Sequence, residues 1–499
     1  MSNNSYHTPT FDTPLPIASF LETRNTSYLY DDLRQFEHFF YSYLEKNNLT
    51  NGPIGLHLSS SDELLFLIAA CWRLGIPFIP FNPAIDLSSM STKLRELKVP
   101  AVISDGRPKD FNSNIQLLDI DEFKLSNILQ PDFNPDKQVK QRKESLSPDR
   151  IWSYLLTSGT TGPPKAVPLK RRQMLFAAQA SAQNIRPVRN GLWLLCMPLH
   201  HIGGISVIIR SLLYGSGIYR MPKFDGKAVT QLFGRNERLQ AASLVPTMLK
   251  RLLERADFEA SDYFQAILLG GGPIREPLVD ECFNRGIPII TSYGMTESCA
   301  QIAANPLMTV GDLSRPKKSV GRIFPPNEIE IRKPSGKALP MESGQIWLRG
   351  PQIFDGYMQD KKNDEAAFDE NGWFNTKDVG YLNKKEELFI ETRRTDLIIS
   401  GGENIIPSEV EEALESLSLI KKAVVVGIED EEWGQKAVAL IITQSDDISF
   451  QRDEFKNKLP NLESYKIPKA FIQVDSIPKT ATNKVKREEA KTLALNKMG

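Results

Sequence analysis

Long apolar runs are missing from this sequence. The longest, Leu64 to Trp72, is far too short to cross a bilayer, so no membrane-spanning helix is expected. Cysteine is scarce: Cys71, Cys196, Cys282 and Cys299 show neither metal-ligand spacing nor a paired-disulfide pattern. They read as buried, reduced thiols. Net charge is absent too. Lysine plus arginine number 61 and aspartate plus glutamate number 61, so no strong field draws the chain to nucleic acid or an acidic membrane. Residues 1–20 are polar and proline-bearing, without the basic start and apolar run of a secretory leader. A cytoplasmic protein with no integral membrane segment and no nucleic-acid partner is expected; its oligomeric state is open between monomer and homodimer.

What is present is size and alternation. At 499 residues and 41% hydrophobic content, two or more globular domains are expected. Strands are predicted over 53–58, 77–80 and 101–104, with helices over 27–50, 62–75 and 88–97. Residues 137–144 form a charged run between Pro135 and Pro148 and read as an exposed connector. Alternation then resumes, with strands over 151–156, 192–197, 242–245, 266–269 and 287–292 and helices over 205–214, 247–255 and 276–285. This pattern implies parallel sheet covered on both faces. The two stretches, about 50–105 and 150–295, read as two layers. Residues 320–357 carry short strands and Gly/Pro turns, a smaller β unit. Near 393–400 the texture changes again. Helices over 407–417 and 450–459 and strands over 423–428, 437–442 and 470–474 make a compact α+β domain.

Three strings stand where a strand stops, the place where open α/β sheets bind ligands. After the strand 151–156 come Thr157, Ser158, Gly159, Thr160, Thr161, Gly162, Pro163, Pro164 and Lys165. Such a loop turns backbone N–H groups and hydroxyls onto one anion, and the lysine adds mobile positive charge. It is not a Walker loop, because Pro164 stands five residues after Gly159 and Lys165 is followed by Ala166. A polar surface turn is the plain alternative. Gly270, Gly271, Gly272 and Pro273 give a bare backbone against which a planar ring can lie, or a tight turn. In the third string, Tyr293-Gly294-Met295-Thr296-Glu297, Tyr293 can stack on a base and Thr296 can donate to a phosphate. Glu297 is a hard ligand suited to Mg²⁺ shared with phosphates; a solvated loop glutamate is the ordinary reading.

In this order, these strings resemble those of the adenylate-forming enzymes, which include acyl-CoA synthetases, peptide-synthetase adenylation domains and firefly luciferase. Downstream strings extend the resemblance over nearly the whole chain. Trp373-Phe374-Asn375-Thr376-Lys377-Asp378 resembles the motif whose aspartate takes the ribose hydroxyls, with Arg393 assisting. Residues 392–404 resemble the hinge motif, which implies Thr395 as the hinge and Gly401 and Gly402 as lining the thiol tunnel. Residues 478–487 resemble the catalytic-lysine motif and give that role to Lys484. His201, in Met197-Pro198-Leu199-His200-His201, matches the histidine at the acyl pocket. Three positions depart from the family: Thr392 for a glycine, Thr395 for Asp or Lys, and Asn483 for a glycine. Asn tolerates positive φ, and a hinge need not be small.

The resemblance implies an α/β fold. A large N-terminal domain, residues 1–394, would hold two parallel-type αβα layers plus the small β unit, and a smaller mobile α+β lid would span 395–499. It implies a ligase using ATP, Mg²⁺ and coenzyme A, with Thr296, Glu297 and Lys484 catalytic. Several strings, 197–207 with Arg210 among them, are most similar to those of o-succinylbenzoate–CoA ligases. That acid has a second carboxylate, which Arg210 could grip in two-pronged fashion; an exposed helix arginine is the plain alternative. Other readings are a ligase for another aryl or medium-chain acid, an adenylation enzyme loading a carrier protein, and a non-catalytic nucleotide binder.

Overall fold

The computed structural model describes residues 18–106, 115–130, 146–157, 165–185, 187–272, 274–308, 318–358, 367–393, 396, 398–400, 403–430, 433–444, 455, 458–459, 462–479 and 485–498. Ser158, Gly159, Thr160, Thr161, Gly162, Pro273, Thr395, Gly401, Gly402 and Lys484 lie outside them, and Arg393 is described by its backbone alone. The chain divides into two compact units, residues 1–328 with 349–368, and residues 329–348 with 369–499.

Two sheets build the first unit. One has six strands in the order Gln116–Asp119, Ala101–Ser104, Ile54–His57, Phe78–Pro80, Ile151–Thr157, Lys165–Lys170. All neighbours are parallel except the last pair. The other has nine, in the order Arg322–Ile323, Ala300–Ala304, Ile289–Met295, Ala266–Leu269, Leu239–Leu244, Leu192–Leu195, Gly217–Arg220, Ser19–Glu22, Ser27–Leu29. Its middle is parallel and both ends are antiparallel. Strands such as Leu192–Leu195 and Ala266–Leu269 are buried at every residue, as parallel strands covered on both faces must be. Leu194, Leu244, Ile267 and Ile289 share one core with Phe233, Leu249 and Val279. The helix Asp62–Leu74 starts where the Ser61 hydroxyl accepts from the Leu64 N–H at 3.2 Å, a side-chain cap for an otherwise orphaned donor.

Two sequence expectations shift here. The strand Ile151–Thr157 belongs to the first sheet, beside Phe78–Pro80, where the Ser153 hydroxyl donates to the Phe78 carbonyl at 3.1 Å. Trp152 fixes the assignment by packing edge-on against Trp72 and Phe78. The predicted helix 27–50 is instead a strand, Ser27–Leu29, followed by the helix Tyr30–Lys46. Thr23 and Thr26 close a turn that folds this strand back on Ser19–Glu22.

The second unit holds a five-stranded sheet, ordered Gly336–Lys337, Glu328–Lys333, Gly344–Arg349, Phe374–Leu382, Leu388–Arg393. It also holds a sheet built on the long antiparallel pair Ile420–Asp430 and Gly434–Thr443, flanked by Ile398–Ser400 and Ala470–Gln473. Alternation along Val424, Val425 and Val426 feeds two cores. Val425 packs with Val410 and Leu414 of the helix Pro407–Glu415. Val424 and Val426 pack with Ala490 and Ala494 of the helix Arg487–Met498. That last helix was not foreseen. The predicted helix 450–459 falls largely outside the described residues. Among the described residues no helix is long and apolar enough to cross a membrane.

Candidate active site

The phosphate-loop candidates begin and end at one sheet edge. Thr157 and Lys165 are cross-strand partners in the antiparallel pair that flanks residues 158–164. The Lys165 ammonium lies 4.9 Å from the ring centroid of Tyr357. The Tyr357 hydroxyl donates to Glu297 Oε1 at 2.9 Å. Backbone bonds hold the same segment on both sides: Phe354 N–H to the Glu297 carbonyl at 2.9 Å and Met358 N–H to the Ala166 carbonyl at 3.0 Å.

Glu297 sits on a short 3₁₀ turn, Thr296–Ser298, at the end of the strand Ile289–Met295. That strand runs further than predicted, so Tyr293 and Gly294 belong to it. The chain reverses at once into Ala300–Ala304, with Met295 opposite Ala300. Cys299 and Ala300 take positive φ, 52° and 82°, a conformation that non-glycine residues hold only when their surroundings enforce it. The enforcement is visible. Ser298, fully buried, accepts from the Met295 N–H at 3.0 Å and reaches the Ala300 carbonyl at 2.9 Å. A Cβ at position 294 would overlap the Ala300 carbonyl, so only glycine fits. Gln352, also fully buried, donates to the Ser298 carbonyl at 2.7 Å and to the Gln301 carbonyl at 2.5 Å. Thr296 and Glu297 are left half-buried on a rigid turn.

One strand over, Gly270, Gly271 and Gly272 follow Ala266–Leu269. The Ser292 hydroxyl donates to the Leu269 carbonyl at 3.0 Å and lies where a Cβ on Gly270 would go. Gly271 has φ +74°, which glycine alone adopts at no cost. Tyr293 is buried opposite Ala303.

Among the described residues no three His, Cys, Asp or Glu side chains cluster as a metal cage. A single hard carboxylate on a fixed turn suits Mg²⁺, which is held through one or two carboxylates plus phosphate oxygens and water. Glu297 would be its protein ligand.

The acyl-side candidates lie in the same unit. His201 is exposed and opens the helix Ile202–Tyr214, its carbonyl accepting from Gly204 and Ile205. Its ring sits 4.3 Å from that of His200. Burial, with the neighbouring His201 charge, pushes the His200 imidazole down to about 4, so it is neutral at physiological pH. Arg210 is not the exposed helix arginine of the plain alternative: it is 4% exposed. It donates to the Ser181 hydroxyl at 3.0 Å, with Ser206 and Ser243 at 3.4 and 3.5 Å, and lies 4.3 Å from the Trp193 ring centroid. Burial lowers it to about 10, which still leaves it charged at pH 7. No carboxylate among the described residues pairs with it.

In the second unit Asp378 is 5% exposed and faces Arg393 across the strand pair. Its N–H donates to the Thr376 hydroxyl at 3.1 Å, and that hydroxyl donates to the Ile346 carbonyl at 2.9 Å. The ends of 480–484 are held side by side by a bridge between Lys479 and Val485 and by the Lys486 N–H on the Pro478 carbonyl at 3.0 Å. Next to them Arg487 donates to Glu411 at 2.7 Å and to the Val425 carbonyl at 2.8 Å, and pairs with Asp396 at 3.2 Å.

The AMP-binding enzyme profile matches residues 13–358, and the AMP-binding enzyme C-terminal domain profile matches 409–484. The chain belongs to the AMP-binding enzymes. Among curated AMP-binding enzymes, the 2-succinylbenzoate–CoA ligase of Enterococcus faecalis is 33% identical over 448 residues, 88% of either chain. That of Listeria monocytogenes is 34% identical over 437 residues, 87% of either chain. Among solved structures, o-succinylbenzoate CoA synthetase (MenE) of Bacillus subtilis with its acyl-adenylate intermediate is similar at TM-score 0.82 and 29% identity, covering 95% of this chain and 96% of that one. The same protein is also known with ATP and magnesium, at TM-score 0.82 and 28% identity over 95% and 97% of the two chains. The AMP-binding family and its fold are as the sequence resemblance implies. Tyr357 and Gln352, within 13–358, were missed by sequence reasoning; Gly356, next to Tyr357, was the one local sign of a constrained loop.

Proposed function

We propose that this AMP-binding enzyme is an ATP-dependent ligase that converts 2-succinylbenzoate to its CoA thioester, a step of menaquinone biosynthesis. The observation that carries the substrate is Arg210, a buried cation lined by hydroxyls with no carboxylate among the described residues. Burying an uncompensated charge is costly, and a second carboxylate on the substrate would be its counter-ion. The similarity to 2-succinylbenzoate–CoA ligases supports the same choice.

A carboxylate does not react with a thiol unaided, because its leaving group is poor. Its oxygen attacks the α-phosphorus of ATP instead; pyrophosphate leaves, and an acyl-adenylate forms. The thiol sulfur of CoA then attacks the acyl carbonyl, AMP leaves, and the thiol proton is lost. Two anions meet in the first step, so positive groups must hold the developing charge. In this reading the residues 157–165 wrap the triphosphate, with the hydroxyls and Lys165 on it. Magnesium, when bound at Glu297, would neutralise phosphate charge. Gly270 to Pro273 and Tyr293 flank the adenine, and Thr296 donates to phosphate. Asp378 accepts from the ribose hydroxyls with Arg393 beside it, and His201 walls the acyl pocket. Lys484 serves the first step from a lid, residues 395–499, that turns about Thr395; Gly401 and Gly402 line the path of the thiol in the second.

Pyrophosphate exchange into ATP tests the first step, and CoA consumption with 2-succinylbenzoate, benzoates and fatty acids tests the substrate. Turnover of 2-succinylbenzoate is expected. Robust turnover of fatty acids alone would overturn the substrate, AMP release indifferent to CoA would point to a carrier-protein acceptor, and absence of exchange would leave a nucleotide binder.

A further inference from the structure

Tyr357 touches two groups that meet the same triphosphate in the reading above. Its hydroxyl donates to Glu297 at 2.9 Å, and its ring carries the Lys165 ammonium at 4.9 Å. The two partners come from different sheets. Lys165 opens the edge strand of the six-stranded sheet, and Glu297 sits on the turn that ends a strand of the nine-stranded one. The tyrosine cannot drift from either. Phe354 N–H is bonded to the Glu297 carbonyl, Met358 N–H to the Ala166 carbonyl, and the Phe354 ring packs edge-on against Tyr357 at 4.9 Å.

We propose that Tyr357 is a positioning residue for adenylation: it orients the Glu297 carboxylate toward the cation and fixes its spacing from Lys165. This rests on Glu297 as the cation's protein ligand. A carboxylate offers about four lone-pair directions, so one hydrogen bond aims it without using it up. The aromatic face attracts the ammonium and holds it on that side of the loop. One side chain thereby sets the distance between the metal-bearing oxygen and the loop's cation, which local sequence could not set, since 60 residues separate Glu297 from Tyr357.

The test uses Tyr357→Phe in the full chain, which keeps the ring and removes only the O–H. Mn²⁺ binding is read by electron paramagnetic resonance in the presence of α,β-methylene-ATP, with Glu297→Gln and the double variant alongside. Loss of one orienting hydrogen bond should raise the Mn²⁺ dissociation constant about five- to tenfold. Nucleotide affinity without metal and the melting midpoint of the free protein should stay as in the wild type. In the Glu297→Gln background the same change should add nothing, because the two act as a unit. A wild-type Mn²⁺ affinity in Tyr357→Phe, with Glu297→Gln weakened, would overturn the role of Tyr357 alone. Equal losses from Tyr357→Phe in both backgrounds would show a general structural effect and overturn it too. Wild-type Mn²⁺ affinity in Glu297→Gln would remove the metal ligand, and with it this proposal, while leaving the ligase reading to the exchange assay.

Discussion

Two withdrawn arginines, one in each unit, are kept in opposite ways. Arg487 in the second unit is largely enclosed, its side chain 20% exposed; burial opposes its charge, but Glu411 and Asp396 outweigh that and raise its pKa. Arg210 in the first unit is more deeply buried, yet it has serine hydroxyls and an indole face where Arg487 has carboxylates, and its pKa falls. Arg171 in the first unit, buried and stacked on Trp72 with its guanidinium on the Trp72 carbonyl, shows that the fold can also hold a buried cation without a carboxylate. For Arg210 the proposed reading supplies the missing anion from the substrate.

This contrast can be broken. The largest effect is expected from Arg487→Met, which leaves the buried Glu411 carboxylate without its cation and should cost ~3–5 kcal/mol in denaturant unfolding of the second unit. Lys484→Ala, three positions away, should do the reverse: an adenylation rate lowered ~10²-fold with unchanged unfolding, and thioester formation from preformed acyl-adenylate largely spared. Equal loss of both half-reactions would count against its assignment. Arg210→Met should raise KM for 2-succinylbenzoate about 10- to 100-fold, the loss of a charge-assisted contact, without lowering the melting midpoint. If it unfolds the protein and leaves KM alone, the two arginines are alike and the contrast fails. The smallest effect concerns His200. Its folded pKa, about 4, lies below the ordinary 6.5, so the unfolded chain takes up a proton that the folded one refuses. Stability from this group is full above about pH 6.5 and is lost as pH falls toward 4. His200→Phe should flatten the acid limb of a melting-temperature profile over that window.

The strings at strand ends were legible because they are local: hydroxyl, glycine and a terminal charge stand next to the strand that presents them. Tyr293 to Glu297 could be read this way, and so could Gly270 to Gly272. Pairings over long distances were not. Nothing near Ile151 tells that its strand lies beside Phe78. Nothing near Arg210 tells that Ser181 and Ser243 close over it. Alternation predicted sheets, but which sheet a strand joins depends on aromatic packing, as Trp152 against Trp72 illustrates. The strain at Cys299 and Ala300 was equally hidden, since neither residue type favours positive φ.

The bridge between Lys479 and Val485 ties the strand-side flank of the proposed lysine segment to the helix-side flank. Val485 packs beside Val424 and Val426, so the end of the helix-bearing flank is anchored on the same core as the long strand pair. If Lys484 has the role proposed for it, loosening that shared core should slow adenylation too.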